Sequence, residues 1–253
     1  MKKVFVEAYK SKEKEVLEII DNFDYQGNEI GNQDRNTIKT FTFYNEVLNV
    51  KAFKIPNIFN QIAYKFLRKS KAQRSFEYAN KLISLSVGTP KPIAYLEQTT
   101  SLLFKRSFYI SEHLECDLTY RELTKQFDYP NYDPILRAFT RFTYSLHEKG
   151  IHFLDHSPGN TLIRKEGEEY KFYLVDLNRM NFGNLDFETR IKNFSRLTIH
   201  KSMVEVMSDE YAKVSGYDYA KVFNLMWKET CDFQERFHRK KRLKKKLKFW
   251  KKN

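Results

Sequence analysis

Cysteine is nearly missing from these 253 residues: Cys116 and Cys231 are all there is. Two isolated thiols make no disulfide framework and no metal-ligand spacing, and they fit a reducing compartment. Long apolar runs are missing too, since no window approaches the roughly eighteen residues of a membrane-spanning helix. The opening MKKVFVEAYKSKEKE returns to charge after a short apolar run, which is not the signal-peptide pattern. There is no internal repeat and no long linker. A mostly disordered chain is excluded by 41% hydrophobic and 16% aromatic content. That content suffices for one large core or two lobes. Acid is short relative to base, with 32 Asp and Glu against 45 Lys and Arg, a net charge of +13. The shortage is local. From Arg236 to Asn253, RFHRKKRLKKKLKFWKKN carries eleven cations and no acid, so elsewhere the excess is only two. Basicity is therefore a property of the tail rather than of a general phosphate-binding surface.

What is present reads as a mixed chain. VFVEAY (Val4–Tyr9) has strand composition, and KEKEVLEIIDNF places Val16, Ile19, Ile20 and Phe23 at helical intervals. TIKTFTF and VLNVKAF form a hairpin about YNE. A basic stretch follows Pro56. In it Phe76, Ala79 and Leu82 share the face of a helix predicted over Lys65–Leu85, stopping near Gly88-Thr89-Pro90. KPIAYLEQ and SFYISEHL add two strands. After about Glu112 the character changes. DPILRAFTRFTYSLHEKG is an amphipathic helix ending at Gly150, two short strands surround a Lys-Glu-Gly turn, and the remainder is helical, one helix starting near Tyr217 and running toward the tail. The expected divisions are 1–111, a small sheet with an inserted helix; 112–235, mainly helical; and 236–253, a basic amphipathic tail.

Between the amphipathic helix and the next strand lies GIHFLDHSPGNTLI, Gly150–Ile163. Asp155 and Asn160 stand five apart around a Pro-Gly pair, and Asp176 ends the apolar strand FYLV. Phosphoryl transfer to a hydroxyl uses one carboxylate to orient the alcohol and take its proton. A second carboxylate and an amide oxygen can hold Mg²⁺ against the phosphates. A helix–loop–strand–turn–strand order can bring three such groups to one cleft, with the Pro-Gly pair turning Asn160 back toward Asp176. The bland alternative is an ordinary surface turn, since Asp, Pro, Gly and Asn are the usual turn residues.

The stretch LHEKGIHFLDHSPGNTLI…YLVDLNR resembles the catalytic core of the protein-kinase-like superfamily. More narrowly it resembles the bacterial lipopolysaccharide core kinases, including those acting on the inner sugar Kdo. The resemblance covers roughly Lys51–Arg179. It implies an α+β, bilobal protein-kinase-like fold, with a small sheet-containing N-lobe and a mainly helical C-lobe. It implies ATP and Mg²⁺ as cofactors, Asp155 as catalytic base, and Asn160 and Asp176 as metal ligands. Two positions depart from the superfamily pattern. Phe153 stands where His is usual two residues before the catalytic Asp, and Leu177-Asn178 replaces Phe-Gly after the metal-binding Asp. Both speak against a protein kinase and leave a small-molecule or glycolipid kinase intact.

A kinase fold also needs a cation on the phosphates, positioned by a helical carboxylate. In VLNVKAF, Lys51 faces away from Leu48 and Val50; Lys54 takes the role if the strand bulges. Glu77 is the acid in the following helix, though a solvent pair with Lys81 is its bland reading. The resemblance makes the segment holding Gly27 and Gly31 the nucleotide-covering loop; composition alone makes it a loop. Arg68, Lys69, Lys71 and Arg74 form a basic cluster that is either a solvated face or a contact for an acidic sugar or lipid phosphate. His156 is expected to shape an acceptor pocket and His147 to be structural.

In the tail, Leu243, Leu247 and Trp250 fall on one helical stripe among lysines, the pattern of a helix lying on an anionic membrane. RNA is the chief competitor for such a run, and a solubilising tail the third option. The reading is an ATP- and Mg-dependent kinase phosphorylating a sugar hydroxyl of the lipopolysaccharide inner core, with Kdo the expected sugar. It is expected to be a cytoplasmic monomer, peripheral on the inner face of the inner membrane. The alternatives are an aminoglycoside- or choline-type kinase and a non-catalytic nucleic-acid-binding module on a kinase-like fold.

Overall fold

A computed structural model describes residues 1–31 and 36–250, with side chains described through residue 245. The chain divides into two compact units, Met1–Glu115 with Tyr173–Arg179, and Cys116–Phe172 with Met180–Asn253.

The first unit contains, in chain order, β1 (Lys2–Phe5), α1 (Glu13–Asp21), β2 (Asn28–Glu29), β3 (Asn36–Phe43), β4 (Glu46–Phe53), α2 (Ile58–Phe66), α3 (Lys71–Ser84), β5 (Pro92–Thr99) and β6 (Phe104–Glu112). Its strands make one antiparallel sheet ordered β1-β5-β6-β4-β3-β2. Strand alternation builds two layers from it. Leu48, Val50 and Ala52 of β4 meet Val16, Ile20 and Phe23 on one side. Phe53 meets Ala72 and Phe76 of α3 on the other. Each fully buried Leu, Val or Phe contributes about 1.5–3 kcal/mol relative to exposure.

Three local expectations change. The first strand ends at Phe5, and Glu7–Lys12 is a 3-10 turn that buries Tyr9 and lets its hydroxyl donate to Glu46. The helix predicted over Lys65–Leu85 is two helices, because Ser70 accepts from the Gln73 amide at 3.0 Å and starts a new one. The Gly27–Gly31 segment is not wholly loop: β2 pairs with β3, Asn28 opposite Thr40.

The second unit holds β7 (Leu118–Thr119), α4 (Tyr120–Leu123), α5 (Tyr132–Glu148), β8 (Ile151–Phe153), β9 (Thr161–Glu166), β10 (Glu169–Leu174), β11 (Met180–Phe182), α6 (Phe187–Lys192), α7 (Lys201–Ser215) and α8 (Tyr219–Trp250). The last two residues of β10 belong to the first unit. A core of Ile135, Leu136 and Phe139 from α5 with Met203, Val204, Met207 and Tyr211 from α7 holds it together. After α5, Gly150 takes φ +68, and a Cβ there would lie 2.8 Å from the Gly183 carbonyl oxygen. Only glycine lets the chain turn there into β8, which pairs with β11, and so sets where the following loop begins. Helix α8 runs into the basic tail as a single element.

Candidate functional site

Two clusters of polar groups stand out, one in each unit. In the first unit the register of β4 runs unbroken against both β3 and β6, with Lys51 opposite Ile38 and Tyr109. There is no bulge, so Lys54 lies beyond the strand and is exposed. Lys51 projects from the opposite face to Leu48 and Val50. Its Nζ donates to Asp176 Oδ1 at 2.6 Å, with the lysine side chain 12% exposed and the aspartate 35%. Asn178 Nδ2 donates to the same oxygen at 2.7 Å. The segment carrying Asp176 is fastened where β10 ends: the Leu174 amide donates to Gly88 and its carbonyl accepts from Thr89 Oγ1, each at 2.9 Å. Asp176 sits at φ +59, a left-handed conformation that costs an ordinary residue about 1–2 kcal/mol and that Asp tolerates better than most. Two side-chain contacts on the carboxylate and two on the Leu174 backbone thus hold Asp176 on a strained backbone at a strand end, which is how functional groups are often presented.

Glu77 is not the partner of Lys51. It accepts from Lys69 Nζ at 2.8 Å and from Gln73 Nε2 at 2.9 Å on the same helical region. The side chains of Lys69 and Gln73 are nearer claimants than the strand, and Asp176 satisfies Lys51 instead. Gly27 and Gly31 bracket β2, with φ +86 and +71. A Cβ on Gly27 would fall 2.6 Å from the Phe41 ring, so this glycine admits an aromatic beneath it; at Gly31 a Cβ would meet nothing within 4 Å. Nearby, the buried Lys39 ties down the approach to Gly27 by donating to the carbonyls of Gln26 at 3.1 Å and Asp24 at 3.4 Å.

In the second unit the loop after β8 is held from several directions. Asn160 Nδ2 donates to the Asp155 carbonyl at 2.8 Å, closing the five-residue turn. Asn193 Nδ2, at the end of α6, donates to the Phe153 carbonyl at 2.8 Å. Arg196 Nη1 donates both to the Leu154 carbonyl at 2.8 Å and to Asp155 Oδ1 at 3.0 Å. Both bonds leave one nitrogen of a planar group, so tying the backbone carbonyl and the carboxylate to the same atom fixes the aspartate relative to its own loop. Asp155 is 17% exposed in its side chain and Arg196 36%. Gly159 lies against Arg121, where a Cβ would fall 2.4 Å from Nη2. Arg196, Asn193 and Asn178 were missed by sequence reasoning. Asn178 had a local signal, two residues after Asp176; the other two had none, being about forty positions from the loop they hold.

His156 does not line a pocket. It is fully buried, between the rings of Phe139 at 5.4 Å and Phe153 at 5.7 Å, and among the described residues neither ring nitrogen has a partner within hydrogen-bond geometry. Burial pushes its pKa down to about 3. It is a packing residue, because the backbone bond from its amide to the Phe153 carbonyl turns it inward. His147 is structural as expected, its ring nitrogens 3.0 Å from the Tyr211 hydroxyl and 3.2 Å from Asn193 Oδ1; burial lowers its pKa to about 4.

Chemically, the first cluster offers an ammonium paired with a carboxylate, and the second a carboxylate held by a guanidinium beside an amide. Among the described residues no group of three or more His, Cys, Asp or Glu could hold a metal. A Mg²⁺ bound together with phosphates needs no such cage, taking one or two protein oxygens and the phosphates themselves. Within each unit taken alone a side-chain oxygen suits such an ion: in the first both bonds to Asp176 fall on Oδ1, and in the second Asn160 is held through its nitrogen.

Comparison with known proteins bears on the fold and the family. One solved structure, WaaP in complex with acyl carrier protein, matches with a TM-score of 0.61 at 14% identity, covering 95% of this chain and 99% of that one. At that identity the match speaks for the fold alone: a kinase architecture with a sheet-rich first part and a helical second part. No curated protein matches the sequence. A family model, the lipopolysaccharide kinase (Kdo/WaaP) family, matches residues 36–223, from β3 into α8, and so includes Lys51, Asp155, Asn160 and Asp176. The chain belongs to the Kdo/WaaP family of lipopolysaccharide kinases, phosphotransferases of the lipopolysaccharide core.

Proposed function

We propose that this kinase uses ATP with Mg²⁺ and that its acceptor is a hydroxyl of Kdo in a membrane-held glycolipid. The observation that carries the reading is the 2.6 Å pair between Lys51 on an interior strand and Asp176 at a strand end. An ammonium suits phosphate oxygens and a carboxylate suits the metal that accompanies them, so the pair is what a nucleotide-binding unit would keep ready in its own absence of substrate. Asp176 and Asn160 are the residues that would hold Mg²⁺, which when bound neutralises charge on the phosphates. Lys51 orients the phosphates. Asp155 accepts or guides the proton of the acceptor hydroxyl, and Arg196 is a positioning residue that keeps its carboxylate aimed. Glu77 has no part in this reading, because it is engaged by Lys69 and Gln73.

The basic tail supports a membrane-held acceptor. Phe237 and Leu243 are exposed on α8, 52% and 54%, among consecutive cations. The side chains of Leu247 and Trp250, and with them the expected stripe, lie outside the described residues. No described helix is long and apolar enough to cross a membrane. Near an anionic surface each lysine contributes on the order of 1 kcal/mol, so a run of them is enough to hold the enzyme at its substrate.

The test is transfer of label from γ-labelled ATP to a panel of Kdo-containing lipid A precursors, the same precursors lacking Kdo, free sugars and aminoglycosides. Labelling that requires both Kdo and Mg²⁺ is expected. Equal labelling of the precursor without Kdo would move the acceptor elsewhere, and labelling of aminoglycosides alone would replace the reading.

A further inference from the structure

Helix α2 is mounted the wrong way round for a water-soluble surface. Ile55, Ile58, Phe59, Ile62 and Phe66 recur at three- and four-residue intervals and form one stripe. That stripe faces solvent: Phe59 is 80% exposed, Phe66 60%, Ile58 49% and Ile62 45%, with Leu67 just beyond the helix at 80%. The side of the helix turned to the protein is the more polar one. Tyr64 packs on Phe104 of β6 with centroids 5.6 Å apart and rings tilted, Lys65 Nζ donates to Thr99 Oγ1 of β5, and Gln61 Nε2 donates to the Pro56 carbonyl. No residue of α2 is buried. An ordinary amphipathic helix does the reverse, and a contiguous exposed apolar face of this kind marks a contact surface.

Charge says what the contact is. From Lys54 to Phe76 the sequence has six cations, Lys54, Lys65, Arg68, Lys69, Lys71 and Arg74, and no acid. Beside the stripe lies a groove of about 350 Å³ lined by Lys2, Lys65, Arg68, Lys69 and Gln73 among others. Lys69 is neutralised by Glu77 and Lys2 is near Glu97, but Lys65 and Arg68 are bonded only to neutral groups, Thr99 on one hand and Asn60 with the Tyr64 ring on the other. Among the described residues no acid pairs with either. Apolar and aromatic side chains projecting from a short helix, rimmed by cations and backed by a cationic groove, match a lipid surface: acyl chains for the stripe, phosphate headgroups for the groove.

We infer that the outward stripe of α2, with Lys65 and Arg68, is a docking surface for an anionic lipid bilayer, separate from the basic tail. The inference is independent of which sugar is phosphorylated. Binding is interfacial, with Phe59, Ile62 and Phe66 entering the headgroup boundary.

The experiment uses the full chain carrying Trp250→Phe, into which Phe59→Trp is added as a probe of depth. On phosphatidylglycerol vesicles the emission of the added tryptophan should shift to the blue, and lipid brominated on its acyl chains should quench it beyond the Trp250→Phe parent. Pure phosphatidylcholine should give little of either. Adding Ile58→Ser, Ile62→Ser and Phe66→Ser should remove the quenching and weaken vesicle partition about tenfold or more, although the tail and every lysine remain. Melting should fall by only a few degrees, because about half of each side chain already faces water, and phosphotransfer to a soluble acceptor should persist; its loss would indict the kinase reading, not this one. Quenching no greater than in the parent, or partition unaffected by the three serines, would overturn the proposal and leave the tail as the membrane contact. Lipid-independent capture by an acidic protein, or a dimer that the serines dissociate, would overturn it in favour of those occupants.

Discussion

Asp155 and Asp176 are held in opposite ways, and the difference predicts how each responds to substitution. Asp155 takes its orientation from Arg196, which also bonds the Leu154 carbonyl. Asp155→Asn keeps an oxygen for Arg196, so melting and nucleotide affinity should stay near the parent while turnover falls about 100-fold or more, the usual worth of a positioned base. Steady-state kinetics on the variant check this; turnover within threefold of the parent would remove Asp155 from the reaction. Arg196→Met removes both bonds that Nη1 donates, to the Leu154 carbonyl and to the Asp155 carboxylate, while keeping a long side chain. It should lower kcat by roughly tenfold to 100-fold with little change in KM for ATP, since small misplacements of reacting groups cost that much. Asp176 stands on a left-handed backbone. Asp176→Asn preserves that conformation while deleting the charge paired with Lys51, so Mg-dependent ATP affinity should drop while the fold persists; calorimetry showing unchanged affinity would place the metal elsewhere. Lys51→Ala should be crippling and Lys54→Ala mild, because the unbroken register of β4 leaves Lys54 exposed beyond the strand.

At the scale of elements, two features depend on chemistry away from any reaction. Helix α3 exists as a separate helix because Ser70 caps it, so Ser70→Ala should cost about 1 kcal/mol, read as a lower melting temperature. Helix α5 and the loop after β8 each bury a histidine kept neutral, His147 with a pKa of about 4 and His156 of about 3, burial being the chief cause. The unfolded chain binds those protons near pH 6.5, so between there and pH 4 it holds more protons than the native state, and stability falls as pH falls. At pH 5 the loss is about 2 kcal/mol per histidine. His156→Leu should flatten part of that slope in denaturant titrations at pH 7 and pH 5. It should leave stability at pH 7 the same or higher, because the ring nitrogens it removes have no partner. An unchanged slope would mean that His156 is protonated within the fold.

For the whole molecule, charge is the governing quantity. Eleven of the thirteen excess positive charges follow Glu235. Deleting Lys240–Asn253 should leave phosphorylation of a short soluble acceptor almost unchanged and sharply reduce it on vesicle-embedded glycolipid. Raising salt from about 0.1 M to 1 M shortens the screening length from about 10 Å to 3 Å and should mimic the deletion on vesicles. Vesicle co-sedimentation with activity assays on both acceptors is the measurement; equal binding by full and truncated chains would leave the tail without a membrane role.

Much of this was legible in residue order. Periodicity determined α1, α5 and the β3–β4 hairpin, because apolar spacing is a local record of which face is buried. The Asp155–Asn160 turn was legible because its closing bond spans five residues. The tail charge is composition alone. What the sequence could not decide were pairings over long separations, where no spacing links the partners. Lys51 takes Asp176, 125 positions away, rather than Glu77, which is claimed by cheaper contacts on its own helical region. Arg196 reaches back 41 positions to hold Asp155, and His156 is turned into the core by its backbone rather than into a pocket. Helix α2 shows the same limit from the other side. The sequence predicts no helix of its own over Ile58–Phe66, and even the apolar spacing there records only that one face differs. Whether that face meets the core or the solvent was decided by Tyr64 and Lys65, which found partners on β5 and β6 and left the apolar residues outside.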